Sequence, residues 1–145
     1  MVADAFYEGP EKEKLSKPFL VYTKNGERPF AFAGIWDTWV NKDTGEVVDS
    51  FAIITTVSNS VTQRIGHHRS PVILHREAEE AWLSNDLPLE DVTSLLQPYP
   101  GNEMNAYPVS PAVKSPKANG LELLKPTGQR VFTEYDYELY QELQL

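Results

Sequence analysis

Apolar positions along the chain fall into short runs separated by Gly, Pro, Asn, Asp and Ser clusters, a pattern that predicts strands, turns and a few short helices. Residues 3–7 read as a short buried strand leading into Glu8-Gly9-Pro10, and a charged loop follows over 11–17. In 18–23, Phe19, Val21 and Thr23 alternate with Leu20 and Tyr22, and Lys24-Asn25-Gly26-Glu27 carries a two-residue hairpin signal. The runs 30–36 and 47–57, divided by a turn at 43–45, complete three antiparallel strands in succession. Residues 51–57 are β-branched and apolar on both faces, which predicts a place at the centre of a sheet.

Ser58, Asn59 and Ser60 suit the cap of a short helix through Arg64 that Gly66 would end. A brief strand is expected at 72–74 and a helix over 76–83, with Ala78, Ala81 and Trp82 on one face. Another helix, marked by Leu89, Val92, Leu95 and Leu96, starts near Pro88 and stops at Pro98. After a loop at 99–104 come a strand at 105–109, irregular chain over 111–120 and a return to the core at 121–124. Thr133 and Asp136 have capping-box spacing for a last helix over 134–143, with Tyr135, Leu139 and Leu143 in one stripe.

At 145 residues and 41% apolar, the chain is expected to be one domain with a real core, and its 11 Pro and 8 Gly match the many turns. It has no cysteine, so a disulfide, a thiolate zinc site or a thiol nucleophile within these residues is excluded. No apolar run reaches membrane-spanning length and no secretory signal opens the sequence, so a soluble, cytoplasmic protein is expected. The net charge of −8 argues against a general nucleic-acid surface. The acids are concentrated, however: six lie within 77–91, beside Arg76 alone, and four more lie in the tail without a base. The remainder is near neutral and could still carry a local basic groove.

The densest chemistry is Ile65-Gly-His-His-Arg-Ser-Pro-Val-Ile-Leu74, two imidazoles and a guanidinium between a flexible glycine and a rigid proline. Imidazole moves protons near neutral pH, and Arg69 offers a fixed fork of donors for phosphate or for a carboxylate such as Asp37. A metal held by His67, His68 and His75 is disfavoured, because adjacent residues point apart unless the chain bends sharply. Taken alone, His67 is either a satisfied loop histidine or a proton carrier, and Glu8 either a solvated turn acid or a rim carboxylate. Thr55 and Thr56 can be strand filler, and the tyrosines at 135, 137 and 140 suit a helix more than a base-stacking platform. No G-x-S-x-G supports a serine triad.

Taken together, Ala3-Asp-Ala-Phe-Tyr-Glu8, Phe30-Ala-Phe-Ala-Gly-Ile-Trp36, Ile53-Ile-Thr-Thr56 with Asn59, His67-His-Arg-Ser-Pro-Val-Ile-Leu74 and Tyr107-Pro-Val-Ser110 resemble, in order, motifs of the SOS response-associated peptidase (SRAP) family. The resemblance covers about residues 3–126, taken as the domain, with 127–145 as an extension packed on it. It implies an α+β fold with a mostly antiparallel, barrel-like sheet and short flanking helices. It also implies a DNA-damage protein of peptidase or lyase type, which binds abasic sites in single-stranded DNA and forms a covalent crosslink through an N-terminal cysteine after autoproteolytic loss of the initiator Met. By position, Glu8 and His67 would be the catalytic acid–base groups, Arg69 and Thr56 would hold DNA phosphate, and no cofactor or metal would be needed.

The family's opening segment with its cysteine has no counterpart here, Gly9 replaces a Trp, Ala5 a Gly and Ser70 a Met. The chain is therefore expected to be the latter part of a longer protein, or to take the missing segment from a partner that completes the sheet. A non-catalytic, acidic interaction module on the same scaffold is the alternative, and a general peptidase is weakly supported.

Overall fold

The structure is a computed structural model that describes residues 1–24 and 28–134. The expected hairpin turn at 25–27 and most of the last helix, including Tyr135, Tyr137, Leu139, Tyr140 and Leu143, lie outside the described residues. Ten strands, β1 Val2–Ala3, β2 Phe6–Glu8, β3 Phe19–Thr23, β4 Phe30–Phe32, β5 Gly34–Val40, β6 Val47–Ile53, β7 Thr55–Val57, β8 Arg69–Pro71, β9 Ile73–Leu74 and β10 Met104–Pro108, dominate. Helix α1, Ser60–Ile65, lies between β7 and β8, while α2, Arg76–Leu83, and α3, Leu89–Ser94, precede β10. Among the described residues no helix is long and apolar enough to cross a membrane.

The α+β class holds, but among the described residues the strands form four small antiparallel sheets, and no closed barrel. Their orders are β1-β4-β9, β10-β3-β2, β5-β6 and β7-β8. β3 is the strand buried on both faces: Val21 packs with Phe30, Phe32, Val61 and Ala106, whereas Leu20 and Tyr22 pack with Tyr107 and Val109. Its neighbours β2 and β10 pair it along its length, Tyr7 and Tyr107 both opposite Leu20. β3 therefore does not form a hairpin with β4, despite Asn25-Gly26; β4 pairs β1 and β9 instead.

The other correction concerns residues 51–57. They do not run through a sheet centre: Phe51 is 68% exposed, on a two-stranded β5–β6 ribbon, and the strand breaks at Ile54. The run 30–40 breaks at Ala33 and the run 69–74 at Val72 in the same way. These breaks are one feature. Ala33 N–H donates to Val72 O, Val72 N–H to Ile54 O, and Ile54 N–H to Ala33 O, each at 2.9 Å. The closed ring of backbone bonds is a three-way junction from which β4/β9, β5/β6 and β7/β8 diverge. Ala33 and Val72 are fully buried there, with Ile54, Trp82, Leu95 and Leu96 packed around them. Beyond the junction the β5–β6 ribbon exposes Ile35, Trp36 and Phe51 and, with Val2, Phe32 and Trp82, borders an apolar hollow of about 450 Å³.

Helix α1 is fixed at both ends. Asn59 Oδ1 accepts from Val61 and Thr62 N–H while its amide donates to Tyr99 O, and Thr62 Oγ1 accepts from Asn59 N–H in return. Gly66 closes the helix in the left-handed conformation, φ 91°, so that its own N–H and that of His67 both reach Thr62 O. The loop before β3 is tied to this end by Glu11 N–H donating to Gly66 O, and folds back through Lys14 N–H to Pro10 O at 2.6 Å. That fold brings the Lys14 carbonyl over Gly9, where an added Cβ would lie 1.9 Å from it. At the other end of the chain, Val131 N–H donates to Ala106 O, and Phe132 packs on the main core.

Replacing Asn59 by Ala removes a cap and the bond from its amide to Tyr99 O, so a loss of roughly 2 kcal/mol is expected in urea unfolding. A loss under about 0.5 kcal/mol would contradict the cap's importance. Gly9→Ala must displace the 10–14 turn, with an expected cost of roughly 1–3 kcal/mol by the same measurement. An unchanged unfolding midpoint would mean that the turn does not sit over Gly9.

Candidate functional site

Glu8 ends β2, and its Oε1 accepts from the Gly9 N–H at 3.0 Å. His67 follows the glycine that ends α1, so the reversal at Gly66 carries the imidazole back toward the loop after β2. The two side chains, 23% and 25% exposed, meet with Oε1 3.8 Å from His67 Nε2. That gap is longer than a hydrogen bond but within Coulombic reach, a separation that one small shift closes when a ligand binds. The carboxylate from the start of the chain and the imidazole from its middle thus share one cleft.

His67 Nδ1 stands 2.9 Å from Arg69 O and 3.2 Å from Arg69 N. When protonated it donates to the carbonyl; when deprotonated it accepts from the amide. Either tautomer is therefore satisfied at Nδ1, and Nε2 is the nitrogen that faces Glu8. The cleft encloses about 330 Å³ and is lined by Glu8, Gly9, Glu11, Lys14, Leu15 and His67, with Pro10 beside them.

His68 does not point away from His67, contrary to expectation. The rings stack 5.3 Å apart and 19° from parallel, because the chain bends sharply after Gly66, and His68 Nδ1 pairs with Glu11 Oε2 at 3.0 Å. His75 is elsewhere, stacked on Tyr99 at 4.7 Å. Among the described residues no group of three His, Asp or Glu side chains is arranged to hold a metal.

Arg69 lies on β8 opposite Val57, and its guanidinium is laid across β7 onto Thr55 rather than paired with Asp37. Nε donates to Thr55 Oγ1 at 2.9 Å and Nη2 to Thr55 O at 2.6 Å. The exposed face of the fork stays open to solvent. Thr56, opposite Ser70, is half-buried; the threonine that anchors Arg69 is Thr55. Ser70 is buried, with its hydroxyl 2.7 Å from Thr62 Oγ1, which ties β8 to α1 and so holds His67 between two fixed points. Sequence reasoning missed Thr55, Glu11 and Lys14, whose approach to the site depends on how the loop and the ribbon fold. Burial raises the pKa of Tyr7, beside Glu8 in β2, and its hydroxyl donates to Leu123 O.

Comparison with known proteins follows this geometry. Residues 1–116 match the family described as SOS response associated peptidase (SRAP). Over 125 residues the chain is 40% identical to the abasic site processing protein YoqW of Bacillus subtilis, covering 85% of this chain and 54% of YoqW. It is 29% identical over 142 residues to the abasic site processing protein HMCES of Xenopus tropicalis, covering 86% of this chain and 42% of HMCES. A crystal structure of a Bacteroides thetaiotaomicron protein superposes with a TM-score of 0.70 at 38% identity, over 79% of this chain and 50% of that one. The chain thus spans about half the length of the curated relatives it matches. With the family match covering most of its residues, and Glu8, His67 and Arg69 lying in the motifs that first suggested it, the chain belongs to the SRAP family.

Proposed function

We propose that this chain carries the acid–base side of a site that processes abasic sites in single-stranded DNA. The observation that carries the reading is the meeting of Glu8 and His67 across an open cleft, with Arg69 anchored on the adjoining strand. An opened abasic sugar presents an aldehyde, and every step of its capture by an amine moves protons near neutral pH. His67 Nε2 and Glu8 would carry those protons, while the free face of Arg69, with Thr56 nearby on β7, would hold the flanking phosphate. Since the chain has no cysteine, a crosslink through an N-terminal cysteine, and the autoproteolysis that exposes it, would draw that residue from outside this sequence. The amine of Met1 lies on the apolar hollow, donating to Phe32 O, and not in the Glu8–His67 cleft.

The exposed ribbon face around Trp36 and Phe51 fits the same reading. The relatives are about twice as long as the part this chain matches, and an apolar face of this kind is one that the unmatched part of such a protein would cover.

The form that carries the cysteine should crosslink a single-stranded oligonucleotide holding one abasic site. Glu8→Gln or His67→Ala should slow formation or release of the adduct by roughly 10²–10⁴-fold; unchanged rates in both would remove their assigned roles. Adding the part of YoqW that this chain does not match should blue-shift the emission of its exposed tryptophans, Trp36 and Trp39. An unmoved spectrum would leave the ribbon without that occupant.

A further inference from the structure

We propose that Lys14 supplies, within this chain, an amine that captures the aldehyde of an opened abasic sugar as a reversible imine. This rests on the abasic-site reading above and adds a nucleophile that the reading places outside these residues. Lys14 lines the same cleft as Glu8 and His67, and it is the one amine-bearing residue among those described there. Of the other lysines around this loop, Lys17 pairs with Glu13 at 3.0 Å, Lys114 Nζ donates to Ser16, and Lys12 does not line the cleft. Among the described residues the Lys14 amine has no such partner.

Its backbone position is over-determined. Lys14 sits at φ 50°, in the left-handed region that side-chain-bearing residues rarely adopt, and the bond from its N–H to Pro10 O holds it there. Gly9 makes this possible, since a side chain at position 9 would collide with the Lys14 carbonyl. Gly9 is thus the residue that lets the turn carrying Lys14 close beside Glu8. Glu11, paired with His68, forms the neighbouring wall and leaves Glu8 as the carboxylate that faces His67.

The step balances without an oxidant or reductant. Nζ, after giving its ammonium proton to His67 or Glu8, adds its lone pair to the aldehyde carbon C1′, the carbonyl π pair moves to oxygen, and one proton passes from nitrogen to that oxygen through His67 or Glu8. The carbinolamine hydroxyl then takes a second proton from the pair and leaves as water while the nitrogen lone pair forms the C=N bond. Nitrogen's last proton returns to the pair, so amine and aldehyde become imine and water. Water reverses the sequence and releases the DNA.

The full chain, incubated with a single-stranded oligonucleotide carrying one abasic site and then with borohydride, should give a reduced covalent adduct. Peptide mass analysis of the unmutated protein should place it on Lys14. Lys14→Arg, which keeps the charge but is not a nucleophilic amine, should lower the adduct at least about tenfold while fluorescence anisotropy still registers binding. An adduct on the Met1 amine or on another lysine would overturn the proposal, as would loss of binding together with the adduct, which would make Lys14 a phosphate contact. Binding without any trapped adduct would sink this proposal and leave the abasic-site reading standing; no binding by the unmutated chain would sink both.

Discussion

Three backbone hydrogen bonds, from Ala33 to Val72, Val72 to Ile54 and Ile54 to Ala33, set the geometry on which the rest of the molecule depends. Each residue would be an interior position of a long strand if its run were left straight. Closing the ring instead leaves each amide satisfied by a chain distant in sequence, so three strands can bend together without an unpaired polar group in the core. Side chains small enough to allow this close approach, Ala33 above all, sit at the centre, and α2 covers the junction through Trp82, whose Nε1 donates to Gly34 O.

The functional cleft follows from that junction. With β7 and β8 turned away from the apolar ribbon, Arg69 is laid against Thr55, and Ser70 is drawn onto α1 through Thr62. The short segment between Gly66 and Arg69 is then clamped at both ends. His67 Nδ1 meets the Arg69 backbone inside this clamp, so the orientation of the ring is set by main chain that cannot easily move. Glu8 arrives by a separate route, through the register that places it opposite Phe19 at the end of the buried β3. Two independent parts of the core therefore place Glu8 and His67 on either side of one cleft.

The loop over the cleft depends on the glycine that follows Glu8. Gly9 admits the Lys14 carbonyl, and Glu11 and Lys14 line the cleft beside it. His68, drawn into a stack with His67 and paired to Glu11, adds a second imidazole–carboxylate contact on the rim.

Much of this was legible in the order of residues. Helix α2 over 76–83, α1 with Asn59 and Gly66 at its ends, and the strands at 19–23 and 104–108 follow from local periodicity and capping, which act over a few residues. Glu8, His67 and Arg69 stood out by residue type and motif. The sheet partners did not: Asn25-Gly26 promised a hairpin that β3 and β4 do not form, and 51–57 promised a central strand that is an exposed ribbon. Strand pairing is decided by which distant segments satisfy each edge, and alternation within a run is the same whichever neighbour it meets. For that reason the sequence by itself determined the local elements and the chemical inventory, while only the tertiary structure decided that Ala33, Ile54 and Val72 would bend together, that Thr55 rather than Thr56 would hold Arg69, and that Lys14 would share a cleft with Glu8 and His67.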